Sequence, residues 1–178
     1  MCDSDKRILA FHEKIGLNKE ITREDLKNAL EGAIQDRGLF LYFIWKTLKE
    51  LHPELETEKI LAKAVYDYGL YKSQNMGDVQ TAADALLNQS SKNGIIVFDQ
   101  TITKVTDDYA EKEIRNCPLL NAFRKVGCTE EEVYTLCHDI LMQSDYSILT
   151  PFDNVEVSFP KTLAESDVCL MCVKRVKK

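Results

Sequence analysis

Ile95-Ile96-Val97-Phe98-Asp99-Gln100-Thr101-Ile102-Thr103-Lys104-Val105-Thr106 is where this chain changes its period. Apolar and β-branched residues crowd both ends of the stretch around Asp99-Gln100, which predicts two antiparallel strands or one bent strand. Upstream the spacing is helical. Thr22-Arg23-Glu24-Asp25 offers a hydroxyl cap with an acid three positions on. From it Leu26, Leu30, Ala33/Ile34, Leu41, Ile44/Trp45, Leu48 and Leu51 recur at helical intervals until His52-Pro53. The run 39–45 alone would pass for a buried strand, but the period continues on both sides of it. A short helix over 4–16 carries Ile8, Leu9, Phe11 and Ile15. Another at 57–71, capped by Thr57, is expected to bury Ile60/Leu61, Ala64/Val65 and Tyr68, and one from Asp78 to Asn93-Gly94 to bury Val79, Ala82/Ala83 and Leu86/Leu87.

Downstream, an extended piece at 109–115 leads to Cys117-Pro118. Pro118 opens a short helix with Leu119/Leu120, Phe123 and Val126, ending at Gly127. Thr129-Glu130-Glu131-Glu132 is a second capping box, starting a helix that buries Val133, Leu136/Cys137 and Ile140/Leu141. Strands at 154–160 and 168–176 finish the chain. The order predicts an α+β fold: N-terminal helices packed on a C-terminal antiparallel sheet with two inserted helices. One domain, 1–178, is expected, with a helical half (1–94) and a sheet-containing half (95–178). No internal repeat or low-complexity segment interrupts it.

Composition narrows the function classes. The chain has 178 residues, 44% hydrophobic and 29% charged, with a net charge of −6, which opposes the counterion-release binding of nucleic acid. The longest apolar run, Leu39 to Trp45, falls far short of the roughly 20 residues that span a bilayer. The start, Met1-Cys2-Asp3-Ser4-Asp5-Lys6-Arg7, lacks an apolar export stretch, so the expected location is cytoplasmic. Cys2, Cys117, Cys128, Cys137, Cys169 and Cys172 therefore read as thiols, and five of the six follow residue 115. Gly-rich phosphate loops, HExxH and GxSxG are absent.

The cysteines and their neighbours are the candidate chemistry. Cys169-Leu170-Met171-Cys172 has the spacing of a zinc half-site, but a regular strand sends residues three apart to opposite faces, so two buried thiols are expected and no metal or cofactor. Cys137-His138-Asp139 is not a self-contained triad, because helix neighbours diverge by about 100°. Only Cys137 points inward there. His138 lies on a flank beside Tyr134 and Met142, and Asp139 lies on the far side. Partners for Cys137 would come from the Cys117 turn and the strand of Cys169. Asp107-Asp108 and Glu130-Glu131-Glu132 read as structural, the latter in a helix first turn where the dipole favours acids. Arg115 and Arg124 bracket Cys117-Pro118 and would suit a ligand carboxylate.

The second half resembles the L-2-amino-thiazoline-4-carboxylic acid hydrolase family. The resemblance runs through Arg115-Asn116-Cys117-Pro118-Leu119, Gly127, Leu136-Cys137-His138-Asp139, Val155-Glu156-Val157 and Lys161-Thr162-Leu163-Ala164-Glu165-Ser166-Asp167-Val168-Cys169, over about residues 95–175. Ser166 stands where the family usually has Gly, and Asp139 is two rather than three residues after Cys137. The resemblance implies hydrolysis of a non-peptide cyclic C–N bond in a small thiazoline carboxylate, on a route to cysteine. It implies a pocket walled by Cys117, Cys137 and Cys169. His138 or Asp139 would act as acid/base there, Cys137 or Cys117 as an alternative nucleophile, and Arg115 or Arg124 would hold the carboxylate.

The rival expectation is a non-catalytic small-molecule sensor, since ligand-binding modules of the 4-vinyl reductase type share the helix-then-sheet order and a terminal Cys strand. A third is a helical interaction protein, which exposure of Phe40, Tyr42, Phe43 and Trp45 would support. The partner in the first two readings is a small molecule, with no nucleic acid and no membrane. The sequence leaves the oligomeric state open, a homodimer included.

Overall fold

The Thr22 hydroxyl accepts the Asp25 backbone N–H at 3.1 Å while the Asp25 carboxylate accepts the Thr22 N–H at 2.9 Å, closing the capping box that the sequence suggested. Helix α2 then runs unbroken over Arg23–Leu51, so residues 39–45 are helical. The computed structural model describes residues 3–16 and 19–176; Cys2 lies outside them, as does the side chain of Ile8. Helix α1 (Asp3–Lys14) precedes α2. Gly38, midway along α2, lies against the later helix α6 (Pro118–Lys125): a Cβ there would stand 3.0 Å from Leu119 Cδ2. Half of the α2 aromatic cluster is core. Tyr42 and Trp45 are buried, the Trp45 indole donating to Glu58 at 2.9 Å, whereas Phe40 and Phe43 remain exposed.

Helix α3 (Thr57–Ser73) differs in detail from the expectation. Thr57 is its first residue and is buried; Glu56 is the cap residue, and its side chain makes no capping bond to the helix backbone. Ile60 and Tyr68 are exposed rather than buried. The cause is the crossing with the later helix α8 (Met142–Ser147). A Cβ on Gly69 would lie 2.6 Å from the Ser144 carbonyl oxygen, so only Gly allows this approach, and the line Leu61, Val65, Gly69 turns inward. Ile60, Ala64 and Tyr68 form the neighbouring line.

Two short helices replace the single one expected from Asp78. A Thr81–Asp84 capping box starts α4 (Ala82–Gln89), which buries Ala82, Ala85 and Leu86 and leaves Leu87 exposed. Ser90 is extended, and the Ser91 hydroxyl accepts the Gly94 N–H at 3.0 Å to start α5 (Lys92–Val97). Ile95-Ile96-Val97 is therefore helical, which corrects the strand expected there. A local cap and burial of Val97 override β-propensity, which mostly measures fit to a pleated surface. Asp99, at φ 47°, then turns the chain into the sheet.

Strands β1 (Gln100–Val105), β2 (Tyr109–Ile114), β3 (Val155–Lys161) and β4 (Cys169–Arg175) are antiparallel in the order β1-β2-β4-β3. Between β2 and β3 the chain forms α6 and then a continuous rod. The rod is α7 (Glu130–Thr135), begun by the Thr129–Glu132 capping box, a π-helical stretch (Leu136–Leu141), and α8. The expected α+β architecture is the one observed. Two filled apolar clusters flank the sheet's inner face: Phe123, Val133, Leu136 and Ile140 among the helices, and Leu86, Ala110, Leu149 and Val173 beneath α4. Among the described residues, no helix is long and apolar enough to cross a membrane.

Candidate functional site

Strand alternation decides which side chains of β2 and β4 face the helices. Ala110, Lys112 and Ile114 share the inner face with Cys169, Met171 and Val173, and the register pairs Lys112 with Met171 and Ile114 with Cys169. Cys172 therefore lies on the outer face, where the Tyr109 hydroxyl reaches its sulfur at 3.3 Å. The two thiols of the Cys169–Cys172 pair diverge as strand geometry demands. Among the described residues no group of three or more His, Cys, Asp and Glu is placed to hold a metal ion.

Between the two clusters the inner face borders a cavity of about 840 Å³, within the roughly 300–1,000 Å³ of small-molecule sites. α2 contributes Leu30, Ile34 and Leu41, α3 contributes Val65, and the rod, β3 and β4 contribute Leu141, Phe159 and Met171. Cys117, Cys137 and Cys169 all line this one hollow, although they come from a helix cap, the π-helical stretch and a strand. Burial pushes each thiol up: Cys117 to about 11, Cys169 to about 12, and Cys137 further above the usual thiol range. Neighbouring thiols and Asp145 add to the effect on Cys137. At neutral pH all three are neutral thiols.

Four charged groups share the wall: Arg37 on α2, Lys72 on α3, Lys112 on β2 and Asp145 on α8. Lys112 is only 2% exposed, and desolvation pulls its ammonium down to about 8. Its Nζ donates to Gln89 Oε1 at 3.1 Å and to Ser90 Oγ at 3.2 Å, both neutral acceptors. Burial pushes the Asp145 carboxyl up, and this outweighs the attraction of Lys72, Lys112 and Arg37. The Asp145 carboxyl makes no hydrogen bond or ion pair among the described residues.

The remaining residues singled out from sequence lie elsewhere. His138 stacks on Tyr134 with centroids 4.1 Å apart and shares a 2.9 Å hydrogen bond with Thr162. Asp139 is exposed. Arg115 is exposed and ion-paired with Glu113. Arg124 grips Glu130, at 3.0 Å from Nε to Oε1 and 2.8 Å from Nη2 to Oε2, and donates to the Leu163 carbonyl at 3.1 Å.

Sequence reasoning missed all four charged wall residues, yet Lys112 and Arg37 carried a signal. Lys112 sits in the inward register of 109–114, between Ala110 and Ile114. Arg37 falls between Ile34 and Leu41 on the stripe of α2. A charged residue at a core-facing position is the informative exception. Comparison with protein-family models finds no match, and comparison with curated proteins finds no relative.

Proposed function

We propose that the protein is a small-molecule-binding module that holds a largely apolar ligand in the cavity without covalent chemistry. The observation that carries this reading is the hollow itself, about 840 Å³ with mainly apolar walls. The state of the thiols supports it, because neutral thiols are poor nucleophiles and Cys117, Cys137 and Cys169 all have their ionisation pushed up by burial. A one-ring thiazoline acid is also small for such a volume. A saturable, one-to-one fluorescence rise with the uncharged apolar dye Nile red, lost when Val65→Trp fills the hollow, is the expected result. Absence of dye binding to the folded wild-type protein would remove the reading.

One observation favours the hydrolase that the sequence resembles. Lys112 and Asp145 form a tuned pair within the same hollow, an amine titrating near 8 and a carboxyl held toward its neutral form. In that reading Lys112, as the free amine, takes the proton of a water adding to the ring C=N carbon. Asp145 protonates the ring nitrogen as the C–N bond breaks. Incubation with 2-amino-thiazoline-4-carboxylate separates the two: ring loss that disappears in Asp145→Asn selects the enzyme, and an unchanged ring with dye binding selects the binding module.

A further inference from the structure

Lys112 is a buried cation whose hydrogen-bond partners are all neutral. Two of its three N–H bonds are spent on Gln89 and Ser90, and no carboxylate of the described residues comes within ion-pair distance of its Nζ. Burying an ammonium without a counter-ion is costly, and pairing it recovers more there than at the surface, where water screens the pair. The wall as a whole has the same deficit: three cations, Arg37, Lys72 and Lys112, face one acid, Asp145.

We infer that the cavity takes an apolar monocarboxylate, its carboxylate on the Lys112 ammonium and its hydrocarbon part running out between α2 and α3. This rests on the binding-module reading and names its ligand class. The depth of Lys112 sets the orientation. Lys112 lies on the sheet floor beside Met171, whereas Arg37 and Lys72 are exposed on the two helices that also present Phe40 and Tyr68 to solvent. The apolar lining that α2 and α3 supply, Leu30, Ile34, Leu41 and Val65, matches a hydrocarbon body rather than a polar one. A monoanion suits the floor better than a phosphate dianion, because the one N–H of Lys112 left after Gln89 and Ser90 cannot satisfy the oxygens of a doubly charged group. The groups facing Lys112 are Asp145 from α8, Cys169 from β4, and Gln89 and Ser90 at the end of α4.

Displacement of Nile red by decanoate and by 1-decanol at pH 7 tests the assignment in wild-type protein, Lys112→Met and Lys72→Gln. The expected result is that wild-type protein prefers decanoate at least tenfold. Lys112→Met would lose decanoate at least tenfold while keeping decanol within threefold, and Lys72→Gln would change both less than threefold. Should Lys112→Met not fold, Lys112→Gln replaces it, and the wild-type preference stands as a readout in either case. Equal affinity for the two probes in wild-type protein overturns the carboxylate. A decanoate preference that survives Lys112→Met but falls with Lys72→Gln overturns the orientation. Failure of the dye itself to bind would mark failure of the binding reading instead.

Discussion

Strand β2 carries charge on both faces of the sheet, and the two faces treat it in opposite ways. On the outer face Glu111 receives the Tyr109 hydroxyl at 2.6 Å and the Thr103 hydroxyl at 2.7 Å, and these bonds hold its carboxyl below the usual range. On the inner face, one residue on, Lys112 has only neutral partners and a depressed ionisation. The outer charge is complete within the protein and serves the fold. The inner one has no charged partner among the described residues, and the proposed binding of a carboxylate rests on that difference.

Breaking the inner face mechanically gives the largest effect. Gly69→Ala drives a methyl group to 2.6 Å from the Ser144 carbonyl oxygen and forces α3 away from the helix that carries Asp145. A loss on the order of 3 kcal/mol is expected from such overpacking, read from the urea midpoint. A Gly69→Ala protein as stable as wild type would show that this crossing is looser than described.

Lys112→Met should act in the opposite direction, raising stability by roughly 2 kcal/mol at pH 7 because it removes a buried charge. The linkage sign fixes the pH window. Below about 8 both folded and unfolded Lys112 are protonated and the penalty is complete; between about 8 and 10.5 only the unfolded chain keeps the proton, so wild-type stability gains on the variant; above 10.5 the difference is gone. Melting temperatures of both proteins from pH 6 to 9.5 should converge. Parallel curves would contradict the burial of the ammonium.

Asp145→Asn follows, with a gain of about 1 kcal/mol at pH 7. Asp145 has its folded ionisation raised, so the wild-type penalty appears as pH rises through the unfolded value of 3.8, and the variant's advantage should vanish below it. The smallest effect belongs to the outer face. Glu111→Gln should cost about 0.5–1 kcal/mol at pH 7. That cost disappears as pH falls below 4.5, since the folded carboxylate is the one held low. It should leave Nile red affinity within twofold, and a larger change would deny the separation of the two faces.

The capping boxes at Thr22 and Thr129, the continuous α2, the antiparallel sheet and the opposed faces of Cys169 and Cys172 were legible because each depends on residues within a few positions. The helix over 92–97 was not, because a six-residue helix is too short for its period to compete with three β-branched residues in a row. The bearing of Asp145 was obscured by the π-helical stretch, whose wider turns shift every later residue around the rod. The convergence of Cys117, Cys137 and Cys169 was expected, but their protonation was not, since desolvation is a property of the assembled wall.

The amino-acid order by itself determined the capped starts of α2 and of the rod, the helices-then-sheet order, and which side chains share a strand face, because caps and side-chain periodicity are local. Only the tertiary structure decided that the space between α2, α3, the rod and the sheet stays open, and that Lys112 and Asp145 meet there without pairing. Volume left between packed elements and charge removed from water arise from segments distant in the chain, and no local pattern encodes either.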